Sequence, residues 1–327
     1  MATNSTSLPP AFPPFPKINL NPTLGADFIG VVVSSIFYGI TTLQTIIYFS
    51  TYDKDRRFLK ALVGSLWILD SASLALFAAG VYQYSVTNFG NPIALEEIDW
   101  SIASEPMVTG VIGLIVHLFL AFRIRNLNQA SIWTYVAFAV AVASLFPFAV
   151  SIVTTWRVNT GGKFLTALTE LHWMAIAGDV STSVIDIFIA ITLTYQLYQG
   201  KTALKSTQKA ITTITIFVIS SGFLTATINV ATLISYLAAE NKLVFQLFNA
   251  CSSKAYVNTL MATLNMRQVV LRQVNPSVIG IGNTNFQSMV FRHTTTNTNS
   301  TPMTMEASGA GIPMSEEHEL YKNERSI

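Results

Sequence analysis

A lysine, Lys254, stands in the middle of FNACSSKAYVNTLMATLNMR (residues 248–267), one of the most apolar parts of the chain. An ammonium group placed there can neutralise a buried carboxylate, bind a polar ligand or ion, or carry a carbonyl compound as a Schiff base. The carboxylates that can answer it from within apolar sequence are Asp70, Asp179 and Asp186. Lys254, Asn258, Met261 and Asn265 recur at spacings of four, three and four, and Asp179, Ser183 and Asp186 recur in the same way, so each set shares one helix face. At a rise of about 1.5 Å per residue, Lys254 lies about 20 Å from Arg267, Asp186 about 22 Å from Lys201 and Asp70 about 15 Å from Lys60. The similar depths point to a midplane polar site, with Asp186 as the principal partner of Lys254 and Asp70 as the alternate. The competing reading is a buried pair that fixes helix packing and binds nothing.

Other chemistries fare less well. A retinal Schiff base needs a cage of large rings, and the run 211–237 offers Phe217, Phe223 and Tyr236 with no Trp and no Pro. A histidine-held zinc needs ligands that converge. His117 lies about 9 Å from one end of its run and His172 starts its run at the opposite end, so the two cannot share an ion. His293 and His318 fall in the C-terminal tail. His117 joins the candidate polar site as a bundle histidine. The lone Cys251 reads as a small packing residue, so no disulfide is expected. No catalytic signature is visible. The expectation is a protein that is not an enzyme and takes no cofactor or metal.

Elements that hold such groups must lie in a membrane. The chain is 51% hydrophobic and 11% charged over 327 residues, with a mean hydropathy of +0.47; a soluble domain carries about 25% charged residues. A bilayer core about 30 Å thick needs roughly 20 apolar helical residues. Runs of that length occupy about 24–49, 61–83, 105–124, 131–154, 172–198, 211–237 and 243–265. The fold class expected is an all-α integral membrane bundle of seven transmembrane helices. Basic residues set its orientation. One set of connections holds Lys54, Arg56, Arg57 and Lys60, then Arg123 and Arg125, then Lys201, Lys205 and Lys209, then Arg267 and Arg272. The other holds only Lys17, Arg157, Lys163 and Lys242, and is acidic at Glu96, Glu97 and Asp99. The amino terminus is therefore expected outside and the carboxyl terminus in the cytosol.

Residues 1–23 form a proline-rich leader with no apolar signal core and a glycosylation sequon at Asn4. Residues 274–327 are rich in Thr, Asn, Ser and Gly and are expected to be a disordered cytosolic tail, leaving 24–273 as the transmembrane domain. Expected partners are the lipid bilayer of the plasma membrane or an endomembrane, a small-molecule ligand, and a cytosolic partner at the basic inner loops. A net charge of +2 argues for no nucleic acid. GVIG (110–113) and SSG (220–222) read as close-packing sites, and Pro147 as a kink in the fourth helix that is either structural or a pocket wall. Trp67, Trp100, Trp133, Trp156 and Trp173 fall mostly near run ends, as interfacial anchors do.

Several stretches carry a resemblance. LGADFIG (24–30), YG (38–39), LWILD (66–70), NFGNP (88–92), DIFIAITLTY (186–195) and above all KAYVNTLMATLNMR (254–267) resemble the fungal (basidiomycete) seven-helix membrane proteins filed as domain of unknown function 6534. The likeness spans about residues 20–273, departs from the family pattern at Ser73, SSGF (220–223) and Gln208, and implies no activity. Two functions stay open: receptor-like sensing of a small ligand, or a small-solute transporter or channel. An odd number of helices without an internal repeat leans to the first.

Overall fold

The computed structural model describes residues 21–89, 91, 97–128, 130–161, 164–199, 205–238 and 244–274. Side chains are described within these ranges except at 21–22, 161, 164–172, 205–221 and 268–274. The leader through residue 20 with its sequon at Asn4, the tail from 275 with His293 and His318, Lys163, Lys201 and Lys242, and the side chains of His172, Lys205, Lys209, Phe217 and Arg272 lie outside this description.

Every described element is helical: α1 (Ala26–Thr51), α2 (Arg57–Tyr82), α3 (Trp100–Leu127), α4 (Ser131–Ala143), α5 (Leu145–Gly161), α6 (Phe164–Gln199), α7 (Lys205–Ala238) and α8 (Val244–Val274). Among the described residues five segments are long and apolar enough to cross a membrane: Thr23–Thr51, Arg57–Thr87, Trp100–Leu127, Ser131–Thr160 and Trp173–Gln199. The described apolar stretch of α7, Gly222–Ala238, is shorter. The run over 131–154, expected to be kinked by Pro147, is two helical pieces that meet at Ser144. Pro147 has no N–H for the carbonyl of Ala143 and its ring crowds that carbonyl, so α4 ends there. The backbone N–H and the hydroxyl of Ser144 both turn back to Val140 O, at 3.0 and 2.7 Å.

The helices close into a ring in which α1 meets α2, α2 meets α3, α3 meets α5, α5 meets α6, α6 meets α7, α7 meets α8 and α8 returns to α1. α3 also touches α4, α6 and α8. α1 shows why this bundle suits lipid. Its buried positions include Asp27, Gly30, Ser34, Thr41 and Thr45, whereas Ile29, Val32, Ile36, Ile40, Leu43 and Ile47 are exposed at helical spacing. Small and polar groups face helices and large apolar groups face outward, the arrangement expected where lipid replaces water outside the bundle. The chain is thus a helical protein built to sit in a membrane.

Between α1 and α8 the seam is sealed by amides. Asn258 Nδ2 donates to Phe37 O at 3.0 Å, and seven residues further on Asn265 Nδ2 donates to Gln44 O at 2.9 Å. The equal offset on both helices means that they run parallel. Below this seam Arg267 forks onto Asp55 in the α1–α2 connection, with Nη2–Oδ2 at 2.5 Å and Nη1–Oδ1 at 3.3 Å. Tyr48 Oη donates to the same carboxylate at 2.9 Å and the guanidinium lies over the Tyr52 ring at 4.3 Å. An apolar core of Leu66, Ile112, Val116, Leu260 and Met261 fills the space between α2, α3 and α8.

Candidate functional site

Lys254 is 1% exposed and extends toward α2. Its Nζ lies 3.4 Å from Asp70 Oδ1 and donates to Ser73 Oγ at 2.8 Å and to Ser253 Oγ at 3.2 Å. The expected principal partner, Asp186, is engaged elsewhere, and Asp70 takes its place. Depth along the bundle was read correctly, but azimuth decides. At 3.6 residues per turn, positions 254 and 256 point about 200° apart on α8, so Lys254 reaches α2 while Tyr256 reaches α6.

Asp186 is held by two aromatic groups. His117 Nε2 lies 3.0 Å from its Oδ1, and Tyr256 Oη donates to its Oδ2 at 2.5 Å. The two rings meet edge to face, 5.7 Å apart. Asn229 Nδ2 donates to Tyr256 Oη at 3.5 Å, and Ser252 Oγ donates to Asn229 Oδ1 at 3.2 Å. This chain ties α3, α6, α7 and α8 together with each member buried.

Beside both networks lies a cavity of about 240 Å³ between α3, α5, α6, α7 and α8, many times the roughly 10–15 Å³ that one water needs. Prolines on facing helices, Pro106 and Pro147, both border it. Gly110 borders it too and brings α5 close, since a Cβ there would collide with Ser151. Glu105, Thr109, Gly113 and His117 line it at every fourth position along α3. Glu105 is 4% exposed; its Oε1 accepts from Ser73 Oγ at 2.8 Å and from Thr109 Oγ1 at 2.7 Å. Asp179 lines the opposite wall, and its backbone carbonyl accepts from Ser183 Oγ at 2.8 Å. Aromatic rings of Phe148, Tyr236, Phe245 and Tyr256 complete the surface. A second, smaller void of about 40 Å³ lies beyond Asp186 and Tyr256 and is bordered by Arg123 and Thr263. Tyr256 borders both voids, so the His117–Asp186–Tyr256 cluster separates them.

Residues 182–269 match a family of unknown function, DUF6534. No curated protein and no solved structure matches the chain. The matched stretch supplies Asp186, Asn229, Ser252, Lys254 and Tyr256, while the groups they engage on α2 and α3, namely Asp70, Ser73 and His117, come from before it.

Of the residues singled out from sequence, Lys254 and Asp70 meet, and Asp186 and His117 meet. Asp179 faces the cavity. Asn258 belongs to the α1–α8 seam within the DUF6534 stretch, and Ser183 is spent on its own helix. Among the described residues no group of three or more His, Cys, Asp or Glu is placed to hold a metal ion. Sequence reasoning passed over Glu105, Tyr256 and Asn229. The signal for Glu105 was the four-residue recurrence down α3 to His117.

Proposed function

We propose that this is a seven-span membrane receptor, amino terminus outside and carboxyl terminus cytosolic, that senses a small ligand in the cavity between α3, α5, α6, α7 and α8. It binds rather than catalyses, and hands the signal to a cytosolic partner at the basic inner loops. The observation that supports the reading is the hydrogen bond from Ser73 to Glu105 on the cavity wall, because Ser73 also accepts from Lys254. A ligand that engages Glu105 competes for Ser73 and so alters how α8 is held to α2. A ligand shifts a conformational balance only through such differential contacts. A library screened by thermal shift on the purified full-length protein, followed by flux of each hit in proteoliposomes, tests the proposal. Saturable binding without flux is expected, and no stabilising ligand at all would leave the buried groups as packing devices.

One observation favours a transporter as the second reading. The two voids lie on either side of the His117–Asp186–Tyr256 cluster, so opening that cluster joins them. Ligand-dependent uptake would decide for it.

A further inference from the structure

We infer that the occupant of the large cavity is a small organic cation, an amine or quaternary ammonium; this rests on the reading of the cavity as a ligand site. The wall carries Glu105 and Asp179, and among the described residues no Lys or Arg borders it. Lys254 points to α2 and is taken up by Asp70. Elsewhere in the bundle interior Asp186 is matched by His117. Glu105 spends only Oε1 on its two described hydrogen bonds. The Asp179 carboxylate makes none of the described hydrogen bonds or ion pairs. Among the described residues the interior therefore carries more carboxyl groups, Asp27, Asp70, Glu105, Asp179 and Asp186, than basic ones, Lys254, Arg123 and His117, and Arg123 borders the smaller void rather than this cavity. Ionisable groups inside a membrane are costly unless paired, and a cation supplies the missing partner. Phe148 and Tyr256, and the stacked pair Tyr236 and Phe245, put aromatic rings on the same surface, a setting suited to an ammonium and to its apolar body.

The walls can be probed without knowing the ligand. Thr182 lines the cavity one turn from Asp179 and is close in size to cysteine. In the full-length protein with Cys251→Ala and Thr182→Cys, labelling rates are measured with three methanethiosulfonates, one carrying trimethylammonium, one sulfonate and one only a methyl group. Each rate is divided by that of a free thiol. The trimethylammonium reagent is expected to exceed the sulfonate reagent by about tenfold or more, the scale on which a charged cleft concentrates its counter-ion. Asp179→Asn with Glu105→Gln should abolish most of that ratio while leaving the methyl reagent unchanged. Equal rates for the two charged reagents, or a ratio that survives the double substitution, would overturn the cation while keeping the cavity. Failure of even the methyl reagent to label would overturn the cavity reading itself. An unfolded variant is recognised by its thermal transition, and Ala175→Cys, also on the wall, then serves in place of Thr182→Cys.

Discussion

Replacing Lys254 by methionine removes the ammonium and keeps most of the side-chain volume. The pair it breaks is 3.4 Å from Nζ to Oδ1, with side chains 1% and 0% exposed. With an effective dielectric of about 20, Coulomb's law gives roughly 5 kcal/mol at that separation, and breaking buried pairs costs about 3–5 kcal/mol because one charge is left uncompensated. Lys254→Met and Asp70→Asn should each destabilise on that scale, with Lys254→Met the worse because Ser73 and Ser253 also lose their donor. The double substitution should cost clearly less than the sum, by about 1–3 kcal/mol, as coupled neighbours do. The assay is thermal unfolding in one fixed detergent, with Asp186→Asn as the comparison partner. Strict additivity of Lys254→Met and Asp70→Asn would refute the pairing, and so would rescue of Lys254→Met by Asp186→Asn.

Further expectations concern topology, the inner clamp and the cavity wall. A C-terminal tag should survive protease added to intact cells and be lost only after permeabilisation; loss without permeabilisation reverses the orientation. Arg267→Lys should be nearly as destabilising as Arg267→Ala, because a lysine cannot reproduce the forked contact with Asp55 or lie flat on Tyr52; full stability of Arg267→Lys in the same unfolding assay would contradict this. Gly110→Val drives a side chain into Ser151 and should cost about 1–3 kcal/mol by overpacking, whereas the same change at Gly113, where a Cβ meets nothing within 4 Å, should be milder. Equal losses at the two glycines would count against the close approach of α3 and α5.

The helices were legible because apolar length is a one-dimensional property: five of the expected runs lie within described helix, that over 131–154 is interrupted at Ser144, and that over 243–265 is described as helix from Val244. The break before Pro147 was readable from one residue type. Partnership was harder. Lys254 declared itself as a buried ion, but whether Asp70 or Asp186 answers it depends on rotation about the helix axis and on ring order, which spacing along one helix does not encode. Asn258 looked like a site residue because it shares a stripe with Lys254, yet its amide is turned onto the Phe37 carbonyl. Glu105 escaped attention because it stands close behind Asp99 at the start of α3, where an acid reads as an interfacial residue. Only the cavity reveals that it and Asp179 line one space.

The amide seam joins α1, the earliest made of the described α-helices, to α8, the latest made of them. Roughly 250 residues separate the start of α1 from the end of α8, so at about 5–20 residues per second the ribosome needs about 10–50 s to deliver the partner. Throughout that interval the carbonyls of Phe37 and Gln44 lack the side-chain donors that later bind them, and the small inward face of α1 has no neighbour on that side. The α1–α8 side of the ring can close only once α8 has been made. A ribosome that stalls before α8 leaves an open-sided intermediate with its polar stripe toward lipid, a form that membrane quality control can tell from the completed protein by that stripe alone.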